Sequence, residues 1–82
     1  MQAGVYKHYK GGYYQVLGIG AHSETDQAMV VYVSLDATLP GPRMRIRPLD
    51  GPEGFLTPVE NPDRYSSIAK IPRFFHVGDQ IS

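Results

Sequence analysis

The sequence predicts a small, mainly β domain, either a strongly bent antiparallel sheet or an SH3-like barrel of about five strands, with an OB-like barrel as the second choice. Its 82 residues suffice for one hydrophobic core, so a single domain spanning residues 1–82 is expected. Nine glycines and seven prolines divide the chain at short intervals, and no segment repeats apolar residues at helical spacing for three turns. The apolar segments between them are rich in strand-forming residues.

The first two strands are expected to form a hairpin. Residues 5–9 and 14–17 favour strands, and Gly11-Gly12 between them suits a two-residue turn that requires positive φ. In that register Tyr9 lies opposite Tyr14. The second strand is expected to continue to residue 21. The glycines at 18 and 20 permit sharp bending of this part of the strand.

Three further strands are expected. Residues 28–35 are almost continuously apolar, which is typical of a central strand covered on both faces. Residues 43–47 alternate arginine with apolar residues, which indicates a half-buried strand. Residues 71–77 look like a closing strand.

The chain between the last two strands is expected to be largely irregular. Prolines and glycines surround Phe55, whose ring is expected to enter the core. Residues 61–72 are predicted to be irregular, apart from a short helical turn over residues 64–68.

Composition excludes several classes of function. Eight lysines and arginines balance eight aspartates and glutamates, which argues against binding nucleic acid or anionic membrane through bulk charge. The absence of cysteine excludes disulfides, thiolate metal sites and a cysteine nucleophile. Apolar runs are far shorter than the roughly 20 residues that span a bilayer, and no basic start precedes an apolar run, so a cytoplasmic protein without membrane contact is expected.

Several ordered motifs resemble a bacterial family called domain of unknown function 1653. The motifs are GVYKHYKG (residues 4–11), YQVLG (14–18), AHSET (21–25), VVY (30–32) and Arg47-Pro48, with a weaker echo at residues 72–74. The resemblance covers roughly residues 4–56, and it implies a family but no reaction, substrate or cofactor. Two departures stand out: Arg45 occupies a place where the family usually has tryptophan, and the link formed by residues 50–54 is longer than usual.

One candidate site combines residues that can bind a divalent metal or move protons. His8, His22 and Glu24 are such residue types, although their spacing matches no compact ligand motif. The alternative is structural: His22 and Glu24 bond to the backbone of their turn, and His8 joins a cross-strand pair. No metal or cofactor is therefore assigned.

A second candidate site is a basic stripe. Arg43, Arg45 and Arg47 alternate along one strand, which would project them from one face about 6–7 Å apart, able to meet phosphates or carboxylates. With tyrosines beside them they could bind single-stranded nucleic acid. The alternative is a solvated face that discourages edge pairing, with Arg47 paired to a carboxylate inside the fold.

Small size favours a surface groove over an enclosed active site, because such a chain buries only about 60% of its unfolded surface. The leading hypothesis is a binding module without catalytic residues. It would hold a protein segment or an anionic ligand, as a monomer or an edge-paired homodimer. An enzyme is not excluded: the alternatives are a metal-assisted hydrolase and a nucleic-acid binder that uses the arginine stripe. The residues assigned to the ligand are Tyr6, His8, His22, Glu24, Tyr32 and Arg47.

Overall fold

The computed structural model describes residues 1–79, and its main feature is a five-stranded antiparallel sheet. The strands of the chain are β1 (Gly4–His8), β2 (Tyr13–Ala21), β3 (Ala28–Ser34), β4 (Met44–Pro48), β5 (Val59–Glu60), β6 (Lys70–Ile71) and β7 (Phe74–Gly78). The sheet order is β4-β3-β2-β1-β7, and β5 and β6 form a separate two-stranded ribbon. The mainly β prediction is confirmed, with β2 rather than β3 at the centre. Within residues 1–79 no helix is long and apolar enough to cross a membrane.

The sheet is open. Its edge strands are β4 and β7, which make no contact with each other in the described part of the chain. The predicted five-stranded antiparallel sheet is therefore confirmed, whereas closure into an SH3-like or OB-like barrel is not observed. Instead, the backbone after β4 folds back on that strand, and the Phe55 N–H donates to the Pro48 carbonyl at 2.8 Å.

The first hairpin is present, but its predicted register is wrong. Gly11, at φ 100°, donates its N–H to the His8 carbonyl at 2.8 Å, and the His8 N–H donates to the Gly12 carbonyl at 3.0 Å. The loop therefore has three residues, closed by a glycine in the left-handed region. Tyr6 consequently lies opposite Tyr14, where the two-residue turn predicted Tyr9.

One face of the sheet carries the core, and we call it the aromatic face. Cross-strand pairing places these buried side chains together on it: Tyr6, Val16, Val30, Tyr32 and Phe74. Phe55, only 2% exposed, covers them from the loop after β4, as predicted. The opposite face, here called the outer face, leaves the apolar side chains of β4 in solvent, with Met44 57% and Ile46 65% exposed.

Residues 61–69 form the loop of the β5–β6 ribbon. The Asn61 carboxamide accepts the Asp63 N–H at 3.0 Å, and the Asp63 carboxylate accepts the Tyr65 N–H at 3.0 Å. These side-chain bonds satisfy the backbone locally, so a turn replaces the helical turn predicted for residues 64–68. The closing strand begins at Phe74 rather than residue 71.

Candidate functional site

A groove of about 340 Å³ lies where the aromatic face meets edge strand β4. Its lining residues are Tyr32, Arg45, Ile46, Arg47, Pro48 and Glu53. The pairing of β3 with β4 explains the arrangement, because Arg45 lies directly opposite Tyr32 and so shares its face of the sheet. The basic stripe and a core tyrosine therefore meet in this groove.

Arg47 is anchored within the fold. Its Nε donates to the Tyr32 hydroxyl at 3.3 Å, and its Nη1 donates to the Glu53 carbonyl at 2.8 Å. The guanidinium carbon also lies 5.8 Å from the centre of the Phe74 ring, within cation–π range. Arg47 therefore forms a wall of the groove and positions the loop that carries Glu53.

The three arginines of the stripe differ in how far they are engaged. Arg43 donates from Nε and Nη2 to the Ser34 carbonyl, at 3.1 and 2.9 Å. Arg45 is exposed, and its side chain makes no hydrogen bond or ion pair with any other residue in the range 1–79. Its guanidinium is therefore available to a ligand in the groove.

Arg73 is a further basic residue here, and sequence reasoning did not assign it to the site. Its Nη2 donates to the Pro52 carbonyl at 3.3 Å, and its Nη1 lies 4.0 Å from the Glu53 carboxylate. Its buried Nε has no hydrogen-bond partner among the described residues. The signal that could have revealed Arg73 is the family echo at residues 72–74.

His8 lies on the aromatic face beside the first hairpin turn. Its ring packs against Phe74, with 4.9 Å between ring centres, and its Nδ1 accepts the Lys10 N–H at 3.2 Å. Burial lowers the pKa of His8, and the positive charges of Arg47, Arg73 and Lys10 lower it further. The environment of His8 is thus positively charged.

The structure does not bring His22 and Glu24 to this site. They belong to the β2–β3 turn, where the His22 Nδ1 accepts the Glu24 N–H at 3.1 Å. His8 adjoins the other end of the nine-residue β2, and at about 3.3 Å per residue the two ends lie roughly 25 Å apart. Among residues 1–79 no three histidines or carboxylates form a group that could hold a metal. The structure therefore favours the structural role for His22.

Tyr6 and Tyr32 are mainly core residues. Tyr6 is buried, and its hydroxyl donates to the Gln2 carbonyl. Tyr32 is 5% exposed, so it contributes to the groove chiefly through the hydroxyl that accepts a bond from Arg47. Of the residues assigned from the sequence, the groove thus brings together Tyr32, Arg45 and Arg47.

Comparison with known proteins places this geometry in a family. The family model described as "Protein of unknown function (DUF1653)" matches residues 4–75. The chain is similar to a protein of the same family from Bordetella bronchiseptica, for which a crystal structure exists. The two sequences are 34% identical, and the two structures superpose with a TM-score of 0.81. That match covers 100% of this chain and 92% of the Bordetella chain. No curated protein matches this chain significantly.

Proposed function

Since the chain belongs to the DUF1653 family, whose description assigns no activity, we propose a function from its geometry: a binding module that holds an anionic group in the groove beside β4. The observation that carries this proposal is the exposed guanidinium of Arg45 beside the anchored guanidinium of Arg47. Guanidinium groups bind carboxylate and phosphate oxygens in planar, two-bond geometry. The proposed ligand group is therefore a carboxylate or a phosphate.

The surrounding charges support an anion. Arg73 adds a positive charge near that of Arg47, because both charges act on His8 and lower its pKa. The carboxylate that lines the groove is that of Glu53, whose side chain is 80% exposed and lies 4.0 Å from Arg73. An anion entering the groove would thus meet more positive than negative charge, although the formal net charge of the chain is zero.

Two alternative functions receive less support. A hydrolase using His8, His22 and Glu24 would need these groups within a few ångströms, and they lie at opposite ends of β2. Single-stranded nucleic acid needs open aromatic rings on which bases can stack, and Tyr32 is almost completely buried. Arg43, moreover, is already occupied by a backbone carbonyl.

The test is a titration of the protein with citrate and with inorganic phosphate at constant ionic strength. The side-chain N–H signals of Arg45 and Arg47 are followed by nuclear magnetic resonance. Arg45→Ala should weaken binding about tenfold, equivalent to about 1.4 kcal/mol, since a hydrogen bond to a charged group contributes about 1.5–3 kcal/mol. Higher salt should weaken binding further.

Matched variants make this test specific. Arg64→Ala removes the same charge from an exposed loop position that does not line the groove, so its affinity for citrate should equal that of the wild type. Glu53→Gln removes the negative charge at the rim and should strengthen binding severalfold. Equal losses in the Arg45 and Arg64 variants would show non-specific attraction and reject the groove as the site.

A further inference from the structure

Strand β4 presents an open backbone edge at the groove. The Ser34 N–H donates to the Arg43 carbonyl and the Leu49 N–H donates to the Ala28 carbonyl, both at 2.9 Å. In an antiparallel pair such hydrogen-bonded positions alternate with positions whose N–H and C=O groups point away. With the observed register, Arg45 and Arg47 bond to β3, whereas the backbone groups of Met44, Ile46 and Pro48 point away from the sheet.

Two features of Pro48 support the outward direction of these backbone groups. Its carbonyl accepts the Phe55 N–H from outside the sheet, so that position does point away from β3. Proline also lacks an N–H, which is tolerated at an edge strand where the N–H would face outward. The open part of the edge therefore consists of the N–H and C=O groups of Met44 and Ile46. Within residues 1–79, no turn or loop backbone group bonds to them.

The side chains of β4 specify what could pair with this edge. Arg45 and Arg47 lie on the aromatic face, whereas Met44 and Ile46 stand exposed on the outer face. Residues directly opposite each other on neighbouring strands share a face and interact. A matching strand therefore carries acidic residues opposite the arginines and apolar residues opposite Met44 and Ile46.

We propose that β4 binds an extended peptide of alternating acidic and apolar residues as a sixth, antiparallel strand, its carboxylates entering the groove at Arg45 and Arg47. The inference deepens the proposed function and rests on it, because the peptide supplies the anionic group. Main-chain hydrogen bonds to the edge add affinity, and the alternating side chains add specificity.

A second copy of the chain is a poorer occupant of this edge. Two β4 strands paired antiparallel would place arginine opposite arginine on one face, and like charges in that position are destabilising. Unpaired edges are commonly protected by charged residues in this way. An acidic partner turns the same charges into attraction.

The experiment uses a synthetic heptapeptide in which glutamate and valine alternate, and one in which lysine replaces glutamate. Binding of the acidic peptide should slow hydrogen exchange of the Met44 and Ile46 amides at least about tenfold. The Arg45 and Arg47 amides already bond to β3 and serve as internal references. The Arg45→Glu variant should lose affinity for the acidic peptide and gain affinity for the lysine peptide.

Two modifications test the backbone bonds themselves. Methylating the backbone nitrogens of the valines removes the hydrogen bonds to Met44 and Ile46 and should abolish binding. The backbone nitrogens of the glutamates face solvent, so methylating them should leave the affinity unchanged. Met44→Pro removes one outward N–H without a ladder bond to β3, at a residue that does not line the groove, and should lose the peptide yet keep citrate. Nuclear magnetic resonance spectra with the dispersion of the wild type would show that this variant folds.

The outcomes separate the two proposals. Strand addition is overturned if the peptide binds while the Met44 and Ile46 amides stay unprotected and methylated valines are tolerated. The citrate titration then still decides the proposed function. If the wild-type protein does not bind citrate, the proposal that the groove holds an anionic group is rejected. A dimer in light scattering that Met44→Pro dissociates overturns the peptide proposal in favour of a second copy.

Discussion

The rings of Phe55 and Phe74 stack face to face, with 4.0 Å between their centres and 2° between their planes. Phe74 belongs to edge strand β7, whereas Phe55 comes from the loop that follows edge strand β4 at the other side of the sheet. Tyr6 and Tyr32 meet the Phe55 ring edge-on at 5.2 and 5.6 Å. The Phe55 side chain, supplied by a loop, therefore completes the core of a sheet that does not close.

Phe55→Ala should lower the free energy of unfolding by about 3–5 kcal/mol, because it removes a buried aromatic ring and leaves a cavity. Leu56→Ala, at the exposed neighbouring position, should change it by less than about 0.5 kcal/mol. Urea denaturation followed by tyrosine fluorescence measures both. If the alanine variant does not fold, Phe55→Leu should show a smaller loss in the same direction, and equal stability of the Phe55 and Leu56 variants would contradict the loop's role in the core.

Gly54→Ala should also destabilise the protein, by more than about 2 kcal/mol, because of a close backbone approach. A Cβ at Gly54 would lie 2.5 Å from the Cα and carbonyl carbon of Asp50, and backbone atoms cannot give way as a flexible side chain can. Gly18→Ala meets nothing within 4 Å and should stay within about 0.5 kcal/mol of the wild type. Thermal melts of the two variants make the comparison, and similar melting temperatures would show that the loop tolerates displacement.

The strands were predictable from sequence because their signals are local. Residues 28–35 and 43–47 were expected as strands, and the structure has Ala28–Ser34 and Met44–Pro48. Register and closure were not predictable. A two-residue and a three-residue turn both fit the glycines at 11 and 12, and the longer loop changes which residues lie opposite each other. Alternation assigns residues to faces but does not determine whether two edges meet.

The candidate site was predictable only in part, for the same physical reason. The alternation in β4 correctly placed Arg45 and Arg47 on one face. The partner of Arg47 is a backbone carbonyl of Glu53, and no pattern of side chains reveals a backbone acceptor. Arg73 reaches the site because the loop after β4 folds back toward it, which depends on tertiary packing.

Arg47→Lys should loosen the loop that carries Phe55. A lysine ammonium is a single point charge on a flexible stem and cannot reproduce the planar guanidinium that reaches both the Tyr32 hydroxyl and the Glu53 carbonyl. The N–H groups of Phe55 and Leu56, which bond to Pro48 and Leu49 at 2.8 and 3.0 Å, should then exchange about tenfold faster.

Amide hydrogen exchange by nuclear magnetic resonance measures this change directly. The matched control is Arg64→Lys, an exposed position in the β5–β6 loop, which should leave both exchange rates unchanged. Unaltered protection of the Phe55 amide in the Arg47 variant would show that the loop is held by its backbone bonds alone.

His8 should make stability depend on pH. Burial and the neighbouring charges of Arg47, Arg73 and Lys10 lower its pKa from the ordinary 6.5, so the folded protein favours the neutral imidazole. The unfolded chain therefore binds the proton more readily. The contribution of His8 is complete above about pH 6.5 and is lost as the pH falls through that value and then through the folded pKa.

The measurement compares urea denaturation of the wild type and His8→Gln at a series of pH values from neutral to mildly acidic. The stability advantage of the wild type should shrink as the pH falls, because glutamine does not titrate. Titration of Asp36 does not contribute in this pH range. Hydrogen bonds from Thr38 hold the pKa of the Asp36 carboxyl below its ordinary 3.8, so its effect on stability appears only in stronger acid. A constant difference between the two proteins across the range would show that His8 has the same pKa folded and unfolded. The charges of Arg47 and Arg73 would then be too well solvated to act on His8, which would remove that support for the positively charged groove.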